Sequence, residues 1–400
     1  MRSCYMLFMM HSMVHYLCVA IPAPGRGIDH IDLPLNDINI IVLTDVHSWV
    51  AGHSAHENYL NASYGDVLSF YQHLQETCQN LRLDLFFVMN GDFMDGTALT
   101  TNPPSLLVPI LEKMPWDAIN IGNHELYEKS TIDYISKPGG FIDHWEGKYL
   151  TSNTRHEGTK QNIGERARIL RGQFGSVVLA FGFLFDMTDA DGSVDVQSVE
   201  EVVEESWFIE LLEQKQEKYD AILVLAHMDV NDPLTNIILT AIRDVCGEDM
   251  VVQFITGHTH YRGFSSLDEK SVSFEAGRYL DTIGFVSFTT LGDFSHLFLD
   301  ANVPLLASTL NLAQTEFLTP DGKKLSDMIY ETQYDAGFLN VLGCSPQTFY
   351  LNRSLDEPDS IHGLYLKEIV PEHLFQGNLS KILIQGRDDF RYSLYAGTNF

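Results

Sequence analysis

The chain of 400 residues carries 25 Lys and Arg against 54 Asp and Glu, a formal charge of -29, and 45% of it is hydrophobic. That apolar content is enough for one large or two medium domains with proper cores. The negative field excludes a nucleic-acid polymer or an anionic membrane surface as partner, whereas a small anionic substrate stays admissible if bound cations supply local positive charge.

Residues 1–26 read as a leader. Met1 to Ala20 holds Arg2, an apolar run from Cys4 to Met10 and the small-residue ending Cys18-Val19-Ala20, an order that resembles a cleaved secretory signal. His11, Ser12 and His15 interrupt the run and argue against a transmembrane segment. The compartment expected is the exterior, a vacuole or a lysosome, with the cytoplasm as the alternative. Cys4, Cys18, Cys78, Cys246 and Cys344 form no CxxC pair, so neither a disulfide framework nor a zinc finger is expected. Sequons at Asn61, Asn352 and Asn378 are compatible with secretion.

Further along, Ile40 to Leu43 is a continuous apolar strand, and Asp66 to Asn80 is a helix with Val67, Phe70, Tyr71 and Leu74 on one face. A strand from Leu83 to Met89, a helix from Ser105 to Met114 and a strand from Ala118 to Ile121 follow. This β-α-β-α order predicts helices packed on a largely parallel sheet. Arg168 to Phe185 is rich in β-formers, Val196 to Lys218 has the pattern of an amphipathic helix, and Ala221 to Ala226 is another buried strand. A helix from Leu234 to Val245 leads into a strand from Val251 to Thr256. The alternating run from Gly257 to Thr290 predicts a second, antiparallel sheet, so that residues 36–300 form a layered β-sandwich core flanked by helices. Thr319-Pro320-Asp321-Gly322 marks a turn inside a linker, 301–335, with a helix near Lys324 to Glu331. Residues 336–400, with a last strand from Lys381 to Gln385, are expected to form a short, incomplete second domain.

The chemistry sits at strand ends. Asp45-Val46-His47, Gly91-Asp92-Phe93-Met94-Asp95-Gly96, Gly122-Asn123-His124-Glu125, Ala226-His227 and Gly257-His258-Thr259-His260 each fall at or just beyond the end of an apolar run. In an open α/β sheet such ends converge on the ligand. Two cations need a shared carboxylate, hard oxygen ligands and neutral imidazoles. Asp92 is the natural bridge, Asn123 offers an amide oxygen, and Asp45, His47, His227, His258 and His260 complete the set. Alone, an Asp-x-His or Asn-His pair is more often a solvated turn or cap, and His124 alone a satisfied core histidine. Five clusters in order point instead to one site for two divalent metals, with zinc, manganese and iron equally suited. Glu125 is expected to have a structural role, and His53 and His56 could line the cleft.

The order DxH, GDxxD, GNHE, AH, GHxH resembles the calcineurin-like metallophosphoesterase superfamily. Within it, the loop Asp45 to His53, the stretch Gly182 to Phe185, Glu204 to Phe208 and Glu275-Ala276-Gly277-Arg278-Tyr279 resemble the 5'-nucleotidase-like branch found in fungi and other eukaryotes. The tail from Arg387 to Gly397 is similar to the segment where that branch's C-terminal domain approaches substrate. The resemblance implies an α/β fold, a four-layer α/β/β/α metallophosphoesterase sandwich with a truncated C-terminal α+β domain. It also implies that Asp45, His47, Asp92 and His260 hold one metal and Asp92, Asn123, His227 and His258 the other.

A hydroxide bridging the metals would attack phosphorus in line, with His124 assisting the leaving group. Nucleotidases often place an orienting Asp three residues after this histidine, where Tyr127 stands here, so Asp95 is the substitute. Asn123, Arg278 and Arg391 are the substrate-binding candidates, and Phe390, Tyr392, Tyr395 and Phe400 are either base-stacking or core aromatics. The expected activity is phosphomonoester hydrolysis of nucleoside 5'-monophosphates. The alternatives are a phosphodiesterase or nucleotide-sugar hydrolase on the same metal core, or a non-catalytic metal- or nucleotide-binding protein.

Overall fold

The computed structural model describes residues 30–53, 55–57, 59–214, 219–374, 390 and 392–399. The leader, Cys4, Cys18, the sequon at Asn378, the strand expected from Lys381 to Gln385, and Arg387, Arg391 and Phe400 lie outside the described residues.

In chain order the strands begin with β1 (Ile38–Leu43), β2 (Asp84–Asn90), β3 (Ala118–Asn120), β4 (Tyr149–Leu150), β5 (Thr154–His156) and β6 (Ala167–Arg171). Next come β7 (Val177–Leu184), β8 (Val194–Val196), β9 (Ala221–His227), β10 (Val251–Thr256), β11 (Arg262–Asp268) and β12 (Ser271–Ala276). The last four are β13 (Thr282–Phe288), β14 (Phe294–Asp300), β15 (Gly343–Ser345) and β16 (Gly397–Asn399). One sheet has the order β14-β13-β1-β2-β3-β4, parallel from β1 to β4 and antiparallel on the β13 side. The other runs β11-β12-β10-β9-β7-β6, with a parallel centre and antiparallel edges.

Every residue of β1, β9 and β10 is buried, as strands covered on both faces require. The twofold alternation survives inside those runs. Ile40 and Val42 join the cluster between the sheets with Val88, Leu223 and Leu225. Ile41 and Leu43 face outward onto Val67, Phe70 and Leu74 of the helix Tyr64–Leu81. On the far side, Ile222, Val224 and Ala226 pack with Ile238 and Ile242 of the helix Pro233–Cys246. The layers are α/β/β/α.

Three local expectations change. The run from Gly257 to Thr290 does not make a sheet of its own: the hairpin β11-β12 extends one sheet and β13-β14 the other. Gly277, at a φ of 100°, lies where the chain crosses between them. The long helix expected from Val196 breaks into Val199–Val203 and Ser206–Glu213, because Glu205 is extended and its carboxylate accepts the Trp207 indole N–H at 2.6 Å. The helix expected from Ser105 shrinks to Val108–Leu111, with Pro109 tolerated in its first turn.

Segment 301–335 carries the helices Val303–Thr309 and Pro320–Asp335, and the second lies against Tyr64–Leu81. A Cβ on Gly65 would fall 2.3 Å from the Gly322 carbonyl oxygen, so the two backbones touch where both residues lack side chains. Beyond it, β15 pairs with β16 and Phe349 bridges to Leu394 in a second, smaller unit.

Candidate active site

Each functional side chain lies at or just past the carboxyl end of a parallel strand. Asp45 and His47 follow β1, Asp92 follows β2, Asn123 and His124 follow β3, His227 ends β9, and His258 and His260 follow β10. Asp45, His47, Asp92, His258 and His260 all have positive φ, between 48° and 75°. For residues with a Cβ that conformation is disfavoured and persists only when neighbours over-determine it. They do so here: Asp45 N–H donates to the Gly91 carbonyl at 3.1 Å, His47 N–H to that of Asp92 at 2.9 Å, and Ser48 N–H to that of Phe93 at 2.8 Å.

Glu125, fully buried, grips the same region from below. It accepts the backbone N–H groups of Asp92 at 2.9 Å, Gly122 at 2.8 Å and Met94 at 3.1 Å, which is the structural role expected of it. Gly122 must be glycine for packing reasons, since a Cβ there would lie 2.2 Å from Asp92 Oδ1.

Two groups of ligand atoms result. Those of Asp45, His47, Asp92 and His260 lie within 4.8 Å of one another, as do those of Asp92, His227 and His258, so Asp92 is common to both. Asn123 joins the second group, with Oδ1 at 2.9 Å from His258 Nδ1.

The protons can be assigned from the acceptors. The Asn90 carbonyl, 2.8 Å from His227 Nδ1, can only accept, which turns Nε2 toward the site. Among the described residues that Nε2 is buried with no hydrogen-bond partner, although Asp92 Oδ2 is 3.2 Å away and Asp45 Oδ1 is 3.8 Å away. The pair is near enough for a hydrogen bond but not aligned for one. His47 follows the same plan. Its Nδ1 meets the carbonyls of Asp95 at 2.7 Å and Met94 at 3.0 Å, and its Nε2 faces His260 Nε2 at 3.1 Å.

Imidazole nitrogens and carboxylates aimed at shared gaps fit divalent cations, and the orphaned His227 nitrogen is where one would be met. The protonation balance says the same. Burial alone would keep His227 neutral, but Asp92 and Asp45 overcome it and push its pKa to about 10. Burial pushes Asp45 up to about 7. Burial also opposes ionisation of Asp92, yet His227, His47 and His124 around it hold its carboxyl well below the usual range. Burial, then His227, depress His258 to about 4, leaving it a neutral imidazole.

His124 stands at the rim. Its Nδ1 is 2.7 Å from Asp95 Oδ2 and its Nε2 is 4.0 Å from Asp92 Oδ2. Asp95 therefore does reach across to this histidine. Tyr127 does something else: its hydroxyl accepts from Asn123 Nδ2 at 3.0 Å. Arg278 is set further back, its guanidinium 4.8 Å from the Tyr279 ring centroid, and that ring in turn lies 5.5 Å from His47 and 5.3 Å from His260. With His53, Glu57, Tyr279, Tyr392 and Tyr395 it lines a cleft of about 240 Å³. Arg391 lies outside the described residues.

The tail aromatics are packed on protein. Tyr392 covers Trp49 at 4.5 Å and its hydroxyl bonds to His53 Nδ1, Tyr395 stacks on His56 at 4.9 Å, and Phe390 meets Tyr365 at 5.0 Å. His53 also reaches the Tyr279 carbonyl from Nε2 at 2.8 Å.

Sequence reading missed the buried amides that tie the sheets together beneath the site. Asn90 Nδ2 donates to the Ala226 carbonyl at 3.2 Å, and Asn120 Nδ2 donates to Asn90 Oδ1 at 3.0 Å and to the Phe183 carbonyl at 2.8 Å. Their signal was an amide at the last position of an otherwise apolar run.

The family model for calcineurin-like phosphoesterases matches residues 38–262, a span that holds every ligand from Asp45 to His260. The chain belongs to that family. An uncharacterised protein of Saccharomyces cerevisiae is 28% identical over 413 residues, covering 94% of this chain and 67% of its own length. A secreted protein of Arthroderma benhamiae is 32% identical over 267 residues, 64% of this chain and 40% of that protein. The crystal structure of a 5'-nucleotidase from Candida albicans superposes with a TM-score of 0.83 at 28% identity, covering 92% of this chain and 72% of that one. This calcineurin-like phosphoesterase is a metal-dependent phosphoester hydrolase with a C-terminal unit of nucleotidase type. The fold implies divalent metals, for which Asp45, His47, Asp92, His227, His258 and His260 are the candidate residues. Among the described residues no helix is long and apolar enough to cross a membrane.

Proposed function

We propose that the chain hydrolyses nucleoside 5'-monophosphates with two divalent cations. Asp45, His47, Asp92 and His260 would hold one and Asp92, Asn123, His227 and His258 the other. The observation that carries this reading is the pair of ligand groups sharing Asp92 with the His124–Asp95 pair at their rim. When bound, such cations supply electrophilic pull on phosphoryl oxygens and acidify water.

The remaining work falls to side chains. Asp95 stabilises a charged His124 and fixes the ring, so that Nε2 faces the leaving oxygen. As the phosphorus–oxygen bond breaks, the Nε2 proton passes to the nucleoside oxygen. Asn123 and Arg278 are the proposed contacts to substrate, with Arg391 a third. Nucleotide substrates are supported by the Candida albicans 5'-nucleotidase likeness. Zinc, manganese or iron suits the mixed nitrogen and oxygen donors.

The domain division that goes with this is a catalytic domain at 36–300, a connecting segment 301–335 packed on it, and a partial C-terminal domain of 5'-nucleotidase type at 336–400. Secretion is favoured by the secreted relative, and a vacuole or lysosome is the near alternative. The test is metal analysis of purified protein together with phosphate release from AMP, UMP, NMN, a cyclic nucleotide, a nucleotide sugar and a phosphopeptide. Release from the first three alone is expected; two metals with no release from any would refute the reading.

A further inference from the structure

We propose that Glu275 and Thr259 are positioning residues: a buried strut that keeps His258 and His260 turned toward different cations. The inference rests on the metal-centre reading above. His258 and His260 belong to separate ligand groups, and only Thr259 stands between them. Both flanking histidines sit in the left-handed region, at φ 75° and 67°, and something must hold the turn there.

The His258 N–H bond to Asp45 Oδ1 at 3.0 Å holds one side of it, and Thr259 holds the other. Its hydroxyl lies 2.7 Å from each carboxylate oxygen of Glu275, and Tyr261 N–H donates to Glu275 Oε1 at 3.1 Å. Glu275 thus receives donors from the residues just before and just after His260. Its own place is fixed by strand pairing, since β12 runs parallel to β10 with Glu275 opposite Thr256, two residues before His258.

The chemistry of the strut is also informative. Glu275 is fully buried, and among the described residues no Lys or Arg pairs with it. Glu125, the other buried carboxylate beneath the site, repeats the pattern under Asp92. Both carboxylates lie outside the ligand set, and each accepts hydrogen bonds from the loop that carries the ligands.

The test uses the full chain stripped of metal and titrated with Mn²⁺ alone, read by calorimetry and elemental analysis. Wild type is expected to take two ions; failure to take two would sink the metal-centre reading itself. With wild type behaving, Thr259→Val should weaken Mn²⁺ binding by about tenfold or more, and Thr259→Ser, which keeps the hydroxyl, should recover it. Wild-type affinity in Thr259→Val, or no recovery in Thr259→Ser, overturns the strut. Should Thr259→Val fail to fold, Thr259→Ala carries the test, because it removes the hydroxyl from a half-buried position and adds no methyl group to be packed. It should bind Mn²⁺ about tenfold more weakly; unchanged affinity overturns the proposal.

Discussion

At the strand tips five ligand-bearing residues hold positive φ, and loop backbones bond directly to one another and to the buried Glu125. Where residues 392–395 meet the loop after His47, the contact is made by rings: Tyr392 on Trp49 and Tyr395 on His56, all partly exposed or on the surface. The first arrangement fixes atoms to within fractions of an ångström, as reaction geometry demands. The second is adaptable, tolerating changes of shape at modest cost. On the proposed reading, chemistry falls to the stiff region and substrate selection to the adaptable one, and perturbing each separately tests that division.

The sharpest way to break the contrast is at its stiff end. Asp92→Asn removes the shared charge, and loss of several kcal/mol of stabilisation corresponds to a fall on the order of 10³-fold in turnover. Elemental analysis should find fewer than two metals, and a fully loaded, active variant would contradict the shared-ligand role. His124→Ala is expected to lower kcat by about 10² to 10⁴-fold with metal content intact. Metal loss in that variant would remove His124 from its assigned place. Asp95→Asn should cost less, since the 62% exposed Asp95 side chain is partly replaced by water in steadying the ring.

At the adaptable end, Tyr392→Ala gives up a ring contact of about 0.5 to 1.5 kcal/mol, so KM for a nucleotide should rise roughly two- to tenfold. Hydrolysis of p-nitrophenyl phosphate should be untouched. If it falls in step, the tail supports the strand tips and the two regions are not separable.

The smallest effect belongs to neither. His296 on β14 stacks on Phe264 at 3.9 Å, and burial lowers its pKa below 6.5. The folded form therefore binds fewer protons than the unfolded chain in the window just below 6.5. Stability contributed there is present above 6.5 and is lost as pH falls through the lowered value. In His296→Phe, acid denaturation curves should lose a slight dependence in that window, while activity stays as it was.

The site was legible because its residues are punctuated. Asp45, Asp92, His227 and His258 interrupt or end runs so apolar that a polar side chain there needs an explanation. His124 with Asp95 was legible only as a substitution for a missing carboxylate, and the 2.7 Å contact supports it. The strands beyond Gly257 were harder. Alternation tells which face a residue takes but not which sheet edge a hairpin joins, and β11 to β14 divide between two. Asn90, Asn120 and Glu275 bond to partners distant in sequence, so a polar residue in an apolar run was visible but not the partner it meets.

The touching backbones of Gly65 and Gly322 bear on where the molecule can be cut. Leu306, Phe317, Leu325 and Ile329 belong to the same apolar cluster as Phe70 and Leu74. A fragment ending at residue 300 would leave that cluster open to water. A piece that keeps the cluster closed must extend past Asp335 to Phe338, which packs against it, and a protease should be able to cut between the two units in the exposed stretch from Asn340 to Cys344.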